Sequence, residues 1–119
     1  MTPAARIAAA AAILDQVLAG ASAEQTLTAW ARKSRFAGSG DRAAVRDHVF
    51  DALRRKRSLA WLGGAETGRG LMLGALRENG QDPGAYFTGG KHDLPPLSAY
   101  LQYLQDRLPG SHSCHLHPQ

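Results

Sequence analysis

The sequence predicts an all-α protein, built as an antiparallel bundle of about five to six helices. Apolar residues recur at steps of three and four through three long segments, which is the spacing of one helical face. No stretch alternates apolar and polar residues over the length of a β-strand. At 119 residues, the chain suits one compact domain with a modest core, much of it supplied by alanine.

The first two helices are predicted from their capping residues as well as from their apolar spacing. Thr2 can cap a helix over residues 3–19, and Pro3 suits the first turn of that helix. Ser22 can cap a second helix that ends near Arg35, because Gln25 three residues later completes a capping box. The apolar face of the first helix comprises Ile7, Ala10, Ala11, Leu14, Val17 and Leu18.

The third predicted helix is the longest and runs over residues 41–61, ended by Gly63. Arg42 and Lys56 also project toward its apolar face. Lys56 can extend its ammonium group past the edge of the core, and Arg42 can form an internal ion pair with another helix or remain available to a ligand. The apolar face comprises Val45, Val49, Ala52, Leu53, Leu59 and Ala60.

The rest of the chain is less regular. Residues 70–80 have the apolar content of a helix, although Gly70 and Gly74 each lower its propensity by about 1 kcal/mol relative to alanine. Asp82 can cap a short helical turn that begins at the following proline. A last helical segment is expected over residues 97–108, and the tail that follows lacks any periodicity and is expected to be disordered.

Positive charge is concentrated in the middle of the chain. The 14 Lys/Arg and 10 Asp/Glu residues give a formal net charge of +4. Residues 32–57 contain nine of these cations and three of the acids. A localised basic segment favours a nucleic acid partner over an acidic metabolite. The candidate RNA-binding residues are Arg32, Lys33, Arg35, Arg42, Arg46, Arg54, Arg55, Lys56 and Arg57.

One face of the third predicted helix combines cations with aromatic rings. Such a face can present guanidinium groups to phosphates and ring planes to unpaired bases. Acidic partners for these arginines are expected to be scarce, although Asp51 can pair with Arg55 one turn later. An alternative to RNA binding stays open for each residue type. The aromatic rings can pack under a neighbouring helix, and the arginines can be ordinary surface charges. The face comprises Arg46, Phe50, Arg54, Arg57 and Trp61.

Several functional classes lack their characteristic residues. The sequence shows no phosphate-binding loop, no carboxylate pair and no cysteine–histidine arrangement in a folded region, so an enzyme is not expected. The single cysteine excludes an internal disulfide and fits the cytoplasm. The sequence contains no run of 18 apolar residues, so no membrane span is predicted. The tail residues His112, Cys114, His115 and His117 lack the framework of a functional metal site, and none is predicted.

Three stretches together resemble a known family. They are RIAAAAAILDQVLAG, GSGDRAAVRDHVFDALRRKRS and ETGRGLMLGALRENGQDPGAYFTG, of which the second is the most specific. They resemble the N-terminal NusB-like domain of bacterial small-subunit rRNA cytosine-5 methyltransferases, the RsmB (Sun) group. Arg42 and Arg46 lie in the part that matches the family's motif. Residues 1–97 are therefore expected to form a NusB-like domain, and residues 98–119 a divergent segment with a disordered tail.

The resemblance implies a non-catalytic role. In that family, methyl transfer belongs to a separate Rossmann-like domain, which uses S-adenosylmethionine and two cysteines, and this chain stops before such a domain. No cofactor is therefore expected here. The expected partner is ribosomal RNA, with a methyltransferase domain or a ribosomal protein as further partners. The alternative is a NusB-like protein-interaction or transcription antitermination module.

Overall fold

The computed structural model describes residues 1–87, and its regular structure there is entirely helical. The all-α prediction is confirmed. The predicted helix at 97–108 and the divergent segment at 98–119, including its tail, lie outside the described residues. The elements are α1 (Pro3–Leu18), α2 (Ala23–Lys33), α3 (Ser39–Arg54), α4 (Lys56–Gly63), α5 (Gly68–Glu78) and a 3₁₀ turn (Pro83–Ala85).

Three of the predicted starts, at Thr2, Ser22 and Asp82, are confirmed by their capping hydrogen bonds. The Thr2 hydroxyl accepts the N–H of the third residue after it at 3.0 Å, and the Ser22 hydroxyl accepts the Gln25 N–H at 3.3 Å. The Asp82 carboxylate likewise caps the 3₁₀ turn, at 3.0 Å from the Gly84 nitrogen. Each bond satisfies one of the N–H groups that a helix start leaves without an intrahelical partner.

Helix α1 lies at the centre of the fold, because α2, α3 and α5 all pack against it, while α4 packs chiefly against α5. The predicted apolar faces of α1 and α3 form the core, although Val17, Leu18 and Leu53 are only partly buried. Burial of each large apolar side chain stabilises the fold by about 1.5–3 kcal/mol. The largest fully buried side chains are Ile13, Leu14, Val45, Val49, Leu59, Leu71, Met72 and Leu73.

The prediction of one helix over residues 41–61 is wrong. The chain leaves helical geometry at Arg55, where φ is −119° and ψ is 29°, and α4 starts in a new direction. No glycine or proline marks the break, so its cause is tertiary. The change of direction brings Leu59 and Gly63 against α5, where Leu59 is fully buried. A straight continuation would have to give up this contact.

Glycines set the distance between α5 and its neighbours. A β-carbon at Gly63 would overlap the Gly70 carbonyl, and one at Gly74 would overlap the Leu59 carbonyl. Gly68 approaches the backbone of Ala11 in α1 equally closely. The glycines that weaken α5 as an isolated helix are therefore the residues that let it pack in the fold.

Asp41 joins the start of α3 to α1. Its carboxylate accepts the Gly38 N–H at 3.0 Å, lies 2.8 Å from the Arg6 guanidinium and 3.4 Å from the Met1 ammonium group. The Gly38 hydrogen bond, with that of Arg6, lowers the pKa of Asp41 from 3.8 to about 2. The folded state therefore favours the charged form of this carboxyl group.

A measurable pH dependence follows from Asp41. Because its pKa is lower in the folded state, its stabilising effect is complete above pH 3.8 and is lost as the pH falls toward 2. We expect Asp41→Asn to lower the melting temperature at pH 7, and to reduce the further fall between pH 4 and pH 2. Thermal melts of both proteins across this range measure the difference. Equal slopes with pH would contradict the assigned role of Asp41.

Candidate nucleic-acid interface

The nine predicted RNA-binding residues lie toward the two ends of α3 and along it. The chain passes from α2 into α3 through residues 34–38, so the cations of 32–35 lie near the start of α3. The cations of 54–57 lie at its other end. At a rise of about 1.5 Å per residue, the twelve steps from Arg42 to Arg54 separate the ends by about 18 Å.

The middle of α3 is neutralised by an acid from α2. Both terminal nitrogens of Arg46 bind the carboxylate of Glu24, at 2.8 and 2.6 Å. This hydrogen-bonded pair lowers the pKa of Glu24 and raises the pKa of Arg46. The Arg46 guanidinium also lies 4.9 Å from the centre of the Phe50 ring, within the range of a cation–π contact. Arg46 is therefore already engaged on two sides.

Arg54 and Arg55 also have acidic partners. Asp51 lies 3.4 Å from each guanidinium, which confirms the predicted Asp51–Arg55 pair. Arg55 binds Glu78 of α5 as well, and this hydrogen bond raises the pKa of Arg55. Arg55 thus ties the end of α3 to the end of α5. The expectation that acidic partners are scarce is wrong for these two residues, as it is for Arg46. Asp51 of α3 itself reaches Arg54, while α2 and α5 supply carboxylates to Arg46 and Arg55 from distant positions in the sequence.

Arg42 does not project into the core as predicted. Its side chain is exposed and donates a hydrogen bond to the Ala37 carbonyl oxygen at 3.1 Å. Within residues 1–87 it forms no ion pair, so the internal pair considered from the sequence is absent there. The helix starts two residues earlier than predicted, at Ser39, and Asp41 is the charged residue that faces α1.

Six of the nine cations contact no carboxylate among residues 1–87. Five of them are exposed, and Lys56 is half-buried. Arg42 donates to the Ala37 carbonyl oxygen, and the other five fall into two groups, each with an exposed aromatic residue beside it. The α2 patch consists of Arg32, Lys33, Arg35 and Phe36. The α4 patch consists of Lys56, Arg57 and Trp61.

The aromatic residues of the two patches are unusually accessible. Phe36 is 59% exposed and Trp61 is 66% exposed, whereas Phe50 is half-buried and packs against the core. The alternative that the rings of the third helix pack under a neighbour therefore holds for Phe50, whereas Trp61 is largely exposed. In α4, Trp61 follows Arg57 by four residues, so the two share a face. The sequence analysis missed Phe36, although its position beside Arg35 at a helix end was a usable signal.

The break at Arg55 also divides the face predicted from one long helix. Arg46, Phe50 and Arg54 belong to α3, while Arg57 and Trp61 belong to α4, which runs in another direction. The predicted single ridge is therefore wrong. Two patches, separated by a neutralised stretch of α3, stand in its place. Each combines groups that bind phosphate with a ring on which a base can stack.

Neither a metal-ligand cluster nor a membrane-spanning helix occurs in the described part of the chain. Residues 1–87 contain no cluster of three or more histidine, cysteine, aspartate or glutamate side chains placed to hold a metal. None of the helices in this range has both the length and the apolarity to cross a membrane. The chain shows no significant similarity to any protein family, curated protein or solved structure in comparisons with known proteins. The resemblance to a NusB-like domain thus stays a prediction from the residues.

Proposed function

We propose that this chain is a non-catalytic RNA-binding domain that directs an rRNA cytosine-5 methyltransferase domain to ribosomal RNA. The observation that carries the proposal is the pair of patches at opposite ends of α3. Each patch holds cations that contact no carboxylate among residues 1–87, and each holds an exposed aromatic side chain. The resemblance of residues 1–97 to the NusB-like domain supports the choice of ribosomal RNA.

The physical argument rests on what each patch can bind. Guanidinium groups bind phosphate oxygens with a planar pair of donors, and aromatic side chains stack on bases. An acidic protein would satisfy the cations without needing exposed rings beside them. A span of about 18 Å along α3 lets one RNA strand, or two strands of a folded RNA, contact both patches.

The paired arginines take a different role in this proposal. Arg46 and Arg55 pair with Glu24 of α2 and Glu78 of α5, so they lie in the neutralised stretch between the patches and are not counted as RNA contacts. Arg54 stands between the paired arginines and the available cations, because it contacts Asp51 but its side chain is 69% exposed. RNA phosphates can compete for Arg54 because an exposed ion pair is weak in water.

A salt titration tests the proposal. Each phosphate neutralised by a lysine or arginine releases counterions, so the logarithm of the binding constant falls with the logarithm of the salt concentration. With five cations in the two patches, we expect a slope of about −3 to −4 for a ribosomal RNA fragment. Filter binding between about 50 and 200 mM salt measures it. Affinity that does not change with salt would contradict the proposal.

In this reading S-adenosylmethionine binds to the methyltransferase domain and not to residues 1–97. The site of action is the cytoplasm, where ribosomal RNA is processed. Methyl transfer from S-adenosylmethionine by this chain alone would overturn the non-catalytic role.

The second candidate is a protein-interaction or antitermination module. The exposed rings of Phe36 and Trp61 favour it, because aromatic residues are enriched in protein interfaces. The predicted contact helix at 97–108 lies outside the described residues. A ribosomal protein that stays bound to this chain after nuclease treatment, and that the Trp61→Ala variant releases, would favour this candidate.

A further inference from the structure

A shallow groove lies between α1 and the segment that joins α2 to α3. Its volume is about 220 Å³, and the residues that line it have mainly apolar side chains. Phe36 stands on one side of it, with 59% of its side chain exposed. The residues that line the groove are Met1, Ala5, Ala8, Ala9, Trp30 and Phe36.

The shape and chemistry of the groove suit a flat ring. The alanines of α1 present a low wall without branched side chains, and Trp30 and Phe36 add two aromatic rings. Flat apolar walls bind a planar ligand through its faces, which is how aromatic side chains hold unpaired bases. An aliphatic ligand would fit the walls equally well, so the charge around the groove must decide between them.

Two cations lie close to the groove residues along the chain. Arg35 directly precedes Phe36, and Lys33 follows Trp30 by three residues, so that it shares a face of α2 with Trp30. Neither of them contacts a carboxylate among residues 1–87. A ligand that joins a planar ring to a negative charge every few ångströms satisfies both features. A nucleotide chain has this composition, and only bases outside a double helix can offer a free face.

We propose that this groove binds an unpaired base of the RNA, stacked on Phe36, while Lys33 and Arg35 contact the adjoining phosphates. The proposal rests on the proposed function and adds to it that the α2 patch selects single-stranded RNA. The alanine wall of α1 and Trp30 close the groove behind the base.

A second cleft of the structure is less suited to a nucleotide. It measures about 250 Å³ and lies between α1, α3 and α5, with Tyr86 and His48 among its lining residues. Asp51 also lines it, and Arg6 at its edge is bound to Asp41. Arg6 is the only arginine or lysine among the lining residues, and its charge is already neutralised by Asp41, so this cleft offers a phosphate no available cation.

The test compares Phe36→Ala with the unchanged protein on two probes, a short single-stranded oligoadenylate and a short RNA duplex. Loss of one base–aromatic stack is expected to weaken binding to the single strand by about 5- to 100-fold. Duplex affinity and the salt slope should stay the same, because the cations remain. Phe36→Trp is the matched control and should retain the affinity for the single strand. Thermal melts verify that both variants fold.

Tryptophan fluorescence gives a direct second readout. The chain has two tryptophans, so Trp61→Phe leaves Trp30 in the groove as the only one. Oligoadenylate should quench Trp30 in this background, and Phe36→Ala should abolish the quenching at equal saturation. If Phe36→Ala leaves both affinity and quenching unchanged while salt still weakens binding, the groove is not a base site and the general RNA-binding function stands. If neither probe binds, the proposed function fails instead.

Discussion

Replacing Gly74 with alanine is expected to lower the free energy of unfolding by about 2 kcal/mol, the scale of an extra methyl group forced into a packed core. Gly74 lies in the interior of α5 and faces the Leu59 carbonyl group of α4. A β-carbon at Gly74 would overlap that carbonyl oxygen, so the two helices would have to separate. Helix propensity changes in the opposite direction by about 1 kcal/mol and does not compensate.

Gly40→Ala is the matched control for Gly74→Ala. Gly40 is also helical, but it is exposed in α3, and no atom lies within 4 Å of the place where its β-carbon would stand. This change should raise stability by about 0.5 kcal/mol, since it restricts the unfolded chain. Urea denaturation of both variants measures the two values, and the melting temperature of Gly74→Ala should fall by about 8–16 °C. Equal stability of the two variants would show that α4 and α5 do not approach this closely.

Reversing four charges is expected to produce the largest loss of RNA affinity. The variant combines Lys33→Glu and Arg35→Glu in the α2 patch with Lys56→Glu and Arg57→Glu in the α4 patch. Each lost phosphate contact reduces the slope of log binding constant against log salt concentration by about one unit. The four reversals together should lower affinity by about 100- to 1,000-fold at 0.1 M salt. The fold should persist, because three of these side chains are fully exposed and Lys56 is half-buried.

Arg46→Gln is the control for this variant. It removes a cation from the same helix, but one whose two terminal nitrogens already bind Glu24. We expect its RNA affinity to stay within about threefold of the unchanged protein, because the lost charge was already neutralised. Filter binding at matched salt compares the proteins. A loss from Arg46→Gln as large as that from the four reversals would place the RNA along the middle of α3 instead.

Testing the two patches separately adds information about geometry. If both contact one RNA, each pair of reversals alone should remove about half of the salt slope that the four remove together. The helices pack around one hydrophobic core, so the spacing of the patches is set by the fold and not by the RNA.

Capping residues and the helical spacing of apolar residues were sufficient to predict most of the helices. Helix starts at Thr2, Ser22 and Asp82 were predictable because a capping side chain and the N–H that it accepts lie within three residues of each other. The apolar faces of α1 and α3 were predictable because the helical period places their members on one side. The Asp51–Arg55 pair was predictable for the same reason, since it spans one turn.

The sequence by itself determined that this chain forms helices, where most of them begin, and that its positive charge is concentrated between residues 32 and 57. Only the tertiary structure decided which of those charges remain available. Glu24 and Glu78 reach Arg46 and Arg55 from other helices, over separations in the chain that no local pattern reports. Packing against α5 likewise broke the third helix at Arg55 and turned one predicted ridge into two patches, because the burial of Leu59 depends on contacts formed only when the chain is folded.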